Sequence, residues 1–553
     1  MYNKIYVLLI FSLVTTGFIA CQNSTNADDT ADETETTIVD DAKSHDDAGD
    51  YIWDSSEEIP IMLNGNSITV DGNGAIAEGS ILAITSAGSY NISGSLEDGR
   101  IVVDTDDNEI VRLILNNVDI NCSTHAPVYV EKAARVMIVL ADNSENYLKD
   151  GSSYTYANTD VAEPNAAVFS KADLTFYGNG SLTVFGNYND GISGKDGLII
   201  TSGNIRVHAV DDGIRGKDYL IVKDGNITVD AAGIGLKSDN ADDASMGYIT
   251  IEKGVIDITA SSEAIAAQKD VDISSGEISI SSGGQGINGS ISVTIDGGTI
   301  TINSGNDGIH SDGLITINDG ILTISCDDDA IHADYDLVIN GGEINIEKSF
   351  EGIESVKGDI TVNGGEIHIV SSDDGINLAA ESGSYIYVNG GYIVVNADGD
   401  GIDANSSILM TDGTLLVSGS SDTSSSALDY DGTFEMNGGF LVAAGSYFTM
   451  TKAPCTSSEQ YCILVNFNST KDAGTLIHME SQSGEEILTF SPAKSYQSVV
   501  FSSSKLVKGT SYNVYTGGSC TGTSTDGLYK DGTYAGGSLY KSLIISDTIT
   551  IVN

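Results

Sequence analysis

The stretch Gly276-Glu-Ile-Ser-Ile280 recurs 22 residues later as Gly298-Thr-Ile-Thr-Ile302. Each copy opens on glycine and places isoleucine at alternate positions, which is the periodicity of a β-strand with one buried face. A phrase that repeats at one fixed period predicts a solenoid. The other glycines that begin this phrase, most of them also 22 residues apart, are Gly203, Gly225, Gly254, Gly320, Gly342, Gly365, Gly391 and Gly413.

A second phrase, Asp-Asp-Gly-Ile or a close variant, runs beside the first with nearly the same period. Its apolar residues are Ile192, Ile214, Ile234, Ile265, Ile287, Ile309, Ile331, Ile353, Ile376 and Ile402. Three alternating segments, separated by Gly, Asn and Asp, fill about 22 residues. That is one coil of a parallel β-helix, in which coils stack about 4.8 Å apart. We therefore predict an all-β chain, a right-handed parallel β-helix whose repeated isoleucines lie inside, with a small C-terminal β domain.

The N-terminal residues predict the location of the protein. Residues 1–20 combine Lys4 with a short apolar run, as in a secretory signal peptide. Cys21 follows Ile19-Ala20 as at a lipoprotein processing site, and ordinary secretory cleavage nearby is the alternative. Residues 21–58 are expected to form a lipidated acidic linker, because they contain too few large apolar residues to fold. The folded part would then be extracytoplasmic, lipid-anchored at the cell surface or outer membrane.

Three folded regions are expected after the linker. Residues 59–165 carry weaker repeats and are assigned to an N-terminal β cap and the first coils, 166–440 to the parallel β-helix, and 441–553 to the C-terminal β domain. The irregular spacing after Ile234 predicts a loop at residues 239–246.

The cysteines suggest different roles. Cys455 and Cys462 are close enough in sequence to form a disulfide, whereas Cys326 continues an apolar alternation and is expected to be a core thiol. The pairing of Cys122 and Cys520 stays open.

Acidic side chains dominate the composition. Seventy-nine acidic residues face 25 basic ones, a formal net charge of −54, which argues against nucleic acid as a partner. Many carboxylates lie two residues before the repeated isoleucine, or next to that position. Stacked carboxylates repel each other unless turn N–H groups or a cation intervene, and Ca²⁺ is the candidate because it takes oxygen ligands. The alternative is that each Asp only caps its own turn. The candidate metal ligands are Asp190, Asp211 and Asp212; Asp307, Asp328 and Asp329; and Asp373, Asp374, Asp400 and Asp403.

Basic and histidine side chains form further rows. Counting three residues past the repeated apolar residue gives Lys171, Lys195, Lys217 and Lys237. These lysines either meet sugar groups or pair with nearby aspartates along the surface, as surface charges commonly do. His310 and His332 lie beside Glu354 in the row that follows each repeated isoleucine; a transition-metal site or simple solvation are the alternatives for them. The candidate carbohydrate-binding residues are Lys195, Arg215, Lys217, Lys237, His310, His332 and Glu354.

Several longer motifs resemble one protein family. Asn189-Asp-Gly-Ile192-Ser-Gly-Lys-Asp196, Asp211-Asp-Gly-Ile-Arg-Gly-Lys-Asp218, Ala166-Ala-Val-Phe-Ser-Lys-Ala-Asp-Leu174 and Ser524-Thr-Asp-Gly-Leu-Tyr529 resemble a family of secreted bacterial carbohydrate-binding β-helix proteins. The resemblance covers about residues 60–553 and implies a protein similar to calcium-dependent pectate lyases. It implies binding of cellulose- or pectin-like polysaccharide, with calcium as cofactor and without established lyase activity.

The lyase pattern is met only in part. Such lyases place a further Asp three residues after an Asp pair, where this chain has Arg215. Asp400 and Asp403 match that spacing, with Asp374 one coil earlier. If the protein were a lyase, Lys217, Lys237 or Arg215 would act at the uronate as the base.

We therefore expect a calcium-binding, polysaccharide-binding protein without catalysis. A pectate-lyase-like enzyme acting by β-elimination and a structural adhesin or spacer are the alternatives. The expected contact with the membrane is through the N-terminal lipid only, and the expected state is monomeric.

Overall fold

The computed structural model describes residues 45–156, 163–422, 424–447 and 451–553. The chain divides into two compact units, Met1–Ile52 and Trp53–Asn553. In the described part of the first unit, Ala48–Tyr51 forms a 3-10 helix. Across the described ranges we find no helix with the length and apolar character needed to span a membrane. The expected signal peptide and the expected lipid site at Cys21 lie outside the described residues.

Each coil of the second unit is built from three short strands. In one central coil these are Ile287–Gly289, Ser292–Ile295 and Thr299–Ser304. Ile300 and Ile302 are buried, whereas the threonines that alternate with them are exposed. This alternation turns one face of every strand into the solenoid, so the predicted parallel β-helix is confirmed.

Neighbouring coils stack with equivalent residues opposite each other. Ile287 pairs with Ile309, and Ile300 pairs with Leu322 in the parallel register. Each such side chain is fully buried, and burying one aliphatic side chain of this size contributes about 1.5–3 kcal/mol. The interior is therefore a continuous apolar column whose stability comes from stacking like on like.

The strands of face A carry the second sequence phrase and form one 16-stranded sheet. All neighbours in face A are parallel except the first pair, which is an antiparallel hairpin. The strands are Ala75–Glu78, Ile81–Ile84, Arg100–Asp104, Val128–Lys132, Ala166–Ser170, Asp190–Gly194, Ile214–Gly216, Leu236–Ser238, Ile265–Ala267, Ile287–Gly289, Ile309–Ser311, Ile331–Ala333, Ile353–Ser355, Ile376–Leu378, Ile402–Ala404 and Leu428–Tyr430.

The other two faces belong to one 33-stranded sheet. Face B consists of Arg135–Leu140, Asp173–Gly178, Gly197–Ile200, Tyr219–Val222, Tyr248–Ile251, Asp270–Ile273, Ser292–Ile295, Leu314–Ile317, Leu337–Ile339, Ile360–Val362, Tyr385–Val388, Ser407–Met410 and Phe434–Met436. Face C consists of Glu145–Asp150, Ser181–Gly186, Asn204–Ala209, Asn226–Ala231, Val255–Ala260, Glu277–Ser282, Thr299–Ser304, Ile321–Cys326, Glu343–Ser349, Glu366–Ser371, Tyr392–Ala397, Thr414–Ser418 and Phe440–Gly445.

The glycine of the first phrase makes the corner between faces B and C. Gly298 has a φ of 99°, a conformation that L side chains rarely adopt. A Cβ on Gly298 would also lie 2.9 Å from the carbonyl oxygen of Gly276 in the preceding coil. The repeated glycine is thus required both by the turn and by the close stacking of successive corners.

The first coils begin with strands that shield the edge. Ile59–Gly65 pairs in parallel with Gly88–Leu96 and antiparallel with Ile68–Val70. Gly88–Leu96 pairs with the long strand Ile110–Cys122, which contributes to both faces B and C. A covered edge protects the solenoid from pairing with another chain.

The C-terminal residues form antiparallel sheets around a second apolar core. Tyr496–Ser502 pairs antiparallel with both Phe440–Gly445 and Cys462–Lys471, and Ile549–Val552 pairs in parallel with Cys462–Lys471. A six-stranded sheet contains Thr523–Thr525, Leu528–Lys530, Glu486–Phe490, Ile477–Ser481, Ser511–Thr516 and Ser538–Ile544. Ser519–Cys520 and Tyr534–Ala535 form a separate two-stranded sheet.

One register prediction is wrong by two residues. Ile214 pairs with Leu236, not with Ile234, and Leu236 pairs with Ile265. Gly235 is the reason, because a Cβ there would come within 2.4 Å of Ile258. Only a glycine or alanine fits directly before the buried residue of each coil, so Gly235 fixes Leu236 as the residue that points inward.

The predicted disulfide is also wrong. Cys455 and Cys462 are both free thiols in the structure. Cys462 is fully buried on a strand that faces the core, whereas Cys455 lies in a partly exposed segment. Cys326 is buried as predicted, and Cys122 and Cys520 are free.

Candidate functional site

The row of carboxylates that precedes face A is built by the turn that enters each short strand. In several coils, one carboxylate oxygen accepts the backbone N–H of a residue in the next coil. Asp329 Oδ1 lies 3.1 Å from the amide nitrogen of Glu351, and Asp374 Oδ1 lies 2.6 Å from that of Asp400. One Asp can therefore cap a turn and bind a ligand at the same time, because its second oxygen remains available.

The partner of the second oxygen changes along the rod. At Asp212 it is the ammonium of Lys237, 2.7 Å away. At Asp307 and Asp329 it is the imidazole of the histidine three residues later, at 2.9 Å in each case. Farther along, Asp374, Asp400 and Asp403 place their ligand oxygens within 4.8 Å of one another. The same turn thus forms three chemically different clusters.

The first cluster is a polar cavity of about 320 Å³. Its lining residues are Glu163, Asn165, Asn189, Asp190, Lys195, Asp211, Asp212, Arg215, Lys237 and Asp239. Arg215 donates to both carboxylate oxygens of Asp239 at 2.8–3.0 Å, and Lys195 lies 2.6 Å from Glu163. Here protein cations already neutralise the carboxylates.

The corrected register explains this cluster. Lys237 pairs directly with Arg215 in face A, so it does not continue the row of Lys195 and Lys217 as predicted. Lys217 instead reaches Asp242 at 3.3 Å. Lys237 sits beside Arg215 and faces Asp212, which makes the cavity more basic than the predicted row implied.

Asp190 is the most perturbed group of the first cluster. Burial, together with the charges of Asp212 and Asp211, raises the pKa of Asp190 to about 7. Its carboxylate accepts hydrogen bonds from Asn165 and Asn189 at 3.1 and 2.7 Å. Asp211 lies on the exposed side of the turn, so the three predicted ligands do not converge on one point.

The second cluster joins two stacked histidines to buried carboxylates. The rings of His310 and His332 stack with centroids 5.0 Å apart. His332 Nδ1 lies 2.9 Å from Asp329 Oδ2 and 2.8 Å from Glu354 Oε2. Burial opposes a charge on His332, but the hydrogen bonds to Asp329 and Glu354 outweigh it and raise the pKa of His332 to about 10. These histidines are largely buried, not solvated.

Glu351 extends the second cluster towards the third. Its carboxylate accepts a hydrogen bond from Asn377 Nδ2 at 2.8 Å. Burial, with the nearby charges of Glu354 and Asp329, raises the pKa of Glu351 to about 8. The sequence places Glu351 in the acidic row, but the predicted metal ligands do not include it. Asp328, which they do include, lies exposed.

The third cluster contains Asp374, Asp400 and Asp403. Burial, followed by the charge of Asp400, raises the pKa of Asp403 to about 6, and burial with Asp400, Asp373 and Asp403 raises that of Asp374 to about 7. Gly399 lies against this cluster, where a Cβ would come within 2.4 Å of Asp374 Oδ1. Glycine at that position therefore leaves the space that the carboxylates occupy.

A cleft beside the C-terminal sheet was not predicted from the sequence. It has a volume of about 550 Å³ and lies between face C and the loop that carries Asp526. Asp526 accepts a hydrogen bond from Tyr392 at 3.0 Å and contacts His368 at 3.3 Å. No sequence signal points to this cleft, because Asp526 is 134 residues from Tyr392.

Comparisons with known proteins agree with the fold. A family model with the description "Carbohydrate-binding domain-containing protein" matches residues 78–330 and 321–534. A relative from Acetivibrio thermocellus with the same description is 41% identical over 126 residues. That alignment covers 23% of this chain and 44% of the relative, so the chain matches less than half of the relative's length.

A solved structure is also similar. It is the gadolinium derivative of the polysaccharide lyase-like protein from C. thermocellum, with 30% sequence identity. The match covers 48% of this chain and 98% of the other, with a TM-score of 0.42.

Proposed function

Because the chain belongs to the family of carbohydrate-binding domain-containing proteins, we propose that it is a calcium-dependent polysaccharide-binding protein that does not cleave its ligand. The observation that carries this proposal is the third cluster. Its three carboxylates converge within 4.8 Å, and among the described residues no lysine, arginine or histidine forms an ion pair with any of them. A cation is the partner that this arrangement lacks.

The donor set of the third cluster fits Ca²⁺. Ca²⁺ takes six to eight oxygen ligands at about 2.3–2.6 Å, so oxygens around one ion lie up to about 5 Å apart. Asp374, Asp400 and Asp403 supply only oxygen donors at such a separation. They would hold the ion, and the bound ion would offer its remaining coordination positions to water or to sugar oxygens.

The outward row of face A is the proposed polysaccharide surface. Arg215, His310, His332, Glu354 and Asp403 follow the buried residue in their coils and therefore lie on the same side of the rod. A long row of hydrogen-bonding groups suits an extended glycan with many hydroxyls. With a net charge of −54, a uronate-containing glycan would need Ca²⁺ as a bridge, whereas a neutral glucan would not.

The rival lyase function is less well supported by the geometry. A general base has to be within hydrogen-bond reach of the proton that it removes. Lys237, Arg215 and Lys217 are each in an ion pair with an aspartate. They also lie in coils far from Asp403, so the candidate bases and the calcium cluster do not meet.

The proposed location is the cell surface or outer membrane, through a lipid on Cys21. The support is the sequence of residues 1–20 and the acidic composition of the linker. Palmitate labelling of cells that produce the protein tests the anchor, with a Cys21→Ser variant as the control. Unchanged labelling of that variant would contradict the lipid site.

The binding function is tested with glycans and calcium. Purified protein is incubated with polygalacturonate and with cellulose, each with Ca²⁺ or with chelator, and bound protein is measured by sedimentation or affinity electrophoresis. We expect Asp403→Asn to lose calcium-dependent binding to polygalacturonate and Asp257→Asn, an exposed aspartate on face C, to keep it. Release of unsaturated oligouronides, abolished by Lys237→Ala, would instead establish a lyase.

A further inference from the structure

We propose that the second cluster is a binding site for a divalent transition-metal ion such as Zn²⁺, held by His332, Asp329 and Glu354. The site is distinct from the oxygen-only third cluster and does not depend on the calcium proposal. Its donors come from two adjacent coils, because His332 and Glu354 are paired in the register of face A.

The contacts around His332 Nδ1 carry the proposal. Two carboxylate oxygens, from Asp329 and Glu354, approach this one nitrogen to 2.9 and 2.8 Å. A single N–H cannot point at both oxygens with good geometry. An ion among the three atoms would satisfy all of them, with only small outward movements to reach bonds of about 2.0–2.2 Å.

The adjoining coil supplies a second, independent observation. His310 Nδ1 lies 2.9 Å from Asp307 Oδ2, yet it is buried and makes no hydrogen bond of acceptable geometry. Asn288, which precedes His310 in the same row, has a buried Oδ1 that is also without a hydrogen-bond partner. Buried polar atoms left unsatisfied beside a cluster indicate that the cluster accommodates a further group.

The chemistry of the donors selects the class of metal. Imidazole nitrogen with carboxylate oxygen suits Zn²⁺, Cu²⁺, Ni²⁺ and Fe²⁺, whereas Ca²⁺ takes oxygen alone. Asp307 belongs to the same ligand group, since its oxygen lies within 4.8 Å of those of Asp329 and His332. It is therefore placed to complete the coordination.

The outer nitrogens are held as in metal sites. Nε2 of His310 lies 3.4 Å from Asp312, and Nε2 of His332 faces Asp334 at 3.8 Å. A carboxylate on the far side of a ligand histidine orients the ring and raises its basicity as a ligand. Each histidine thus has a carboxylate on both sides, two residues after it and three residues before it.

The experiment measures Zn²⁺ binding directly. Protein stripped of metal is equilibrated with Zn²⁺ in excess Ca²⁺, passed through gel filtration, and analysed for metal content; affinity is measured by competition with a zinc-sensitive dye. We expect about one Zn²⁺ per chain in the wild type. Glu354→Gln and His332→Gln are expected to weaken binding by about 100-fold or more, since even outer-shell changes cost about 10–100-fold.

Two control variants test whether Zn²⁺ binds at the second cluster and not elsewhere on the chain. His208→Gln alters a histidine that also contacts an aspartate, on face C, and should leave Zn²⁺ binding unchanged. Asp403→Asn removes a ligand of the proposed calcium site and should also leave it unchanged, so the two proposals fail separately. Circular dichroism identifies any variant that does not fold.

The wild type provides a readout that needs no variant. Co²⁺ loaded in place of Zn²⁺ should show the visible d–d bands of a site with nitrogen and oxygen ligands, and added Zn²⁺ should abolish them. Absence of stoichiometric Zn²⁺ binding would overturn the proposal, and the cluster would then be a network of imidazolium and carboxylate groups. Zn²⁺ binding that is unaffected by both Glu354→Gln and His332→Gln would overturn it as well.

Discussion

The third cluster makes the stability of the calcium-free protein depend on pH. Burial and neighbouring carboxylates raise the pKa of Asp374 from its ordinary 3.8 to about 7. The folded state therefore binds the proton more tightly than the unfolded state does. Stability from this group is fully present below the unfolded pKa and is lost as the pH rises through about 7.

The size of the effect follows from the two pKa values. A difference of this size corresponds to about 4 kcal/mol, and partial exposure of the carboxyl to water reduces it to about 2 kcal/mol. Asp374→Asn should remove this contribution, because the amide carries no charge and its oxygen can still accept the N–H of Asp400. Bound Ca²⁺ should remove it as well, by replacing the proton.

The assay is thermal unfolding of the wild type, Asp374→Asn and Asp257→Asn between pH 5 and 8, in chelator and in Ca²⁺. In chelator, the wild type and Asp257→Asn should lose melting temperature as the pH rises, and Asp374→Asn should lose less. One kcal/mol moves the melting temperature by about 2–4 °C in domains of 150–250 residues and by less in a longer chain. The reasoning would be refuted if the wild type and Asp374→Asn had parallel pH profiles, or if Ca²⁺ stabilised both equally.

Three further substitutions test other features of the structure. Ile309→Asp should destabilise the protein by several kcal/mol, about 3–5, because it places an unpaired charge in the apolar column; equilibrium denaturation measures this, and a loss below about 1 kcal/mol would contradict the register. Gly399→Ala should weaken Ca²⁺ binding in calorimetry by about tenfold or more, since its Cβ would displace the carboxylate of Asp374; unchanged affinity would mean that the ion binds elsewhere. Lys237→Ala should cost about 1–3 kcal/mol, because Asp212 loses its partner in a desolvated turn; restored stability in Lys237→Ala with Asp212→Asn would confirm the cause, and no loss in the single variant would contradict it.

The fold was predictable because it depends on local rules that recur. Gly298 marks a corner, and alternating Ile300 and Ile302 mark a strand. One coil determines its neighbours by register. The prediction failed only where two apolar residues competed, at Ile234 and Leu236, because the contact of Gly235 with Ile258 that decides between them is not local.

The site was less predictable, because position in a row does not specify partners. Sequence placed Asp212, Asp329 and Asp374 in one row, but not which cation faces each of them. Lys237 approaches Asp212 only after the corrected register is applied. The pairs of Arg215 with Asp239 and Lys195 with Glu163 depend on side-chain reach across coils and turns, which repeat spacing does not report.

The one-to-one register of the coils means that the length of this protein is quantised. Removing residues 287–308 would join Ile309 to the place of Ile287, shortening the rod by about 4.8 Å while every remaining side chain keeps its orientation. Removing one residue fewer would turn a strand inside out, because side chains alternate with a period of two. The second and third clusters lie only a few coils apart on face A, so whole-coil insertions between them would set their separation in equal steps, like the marks on a ruler.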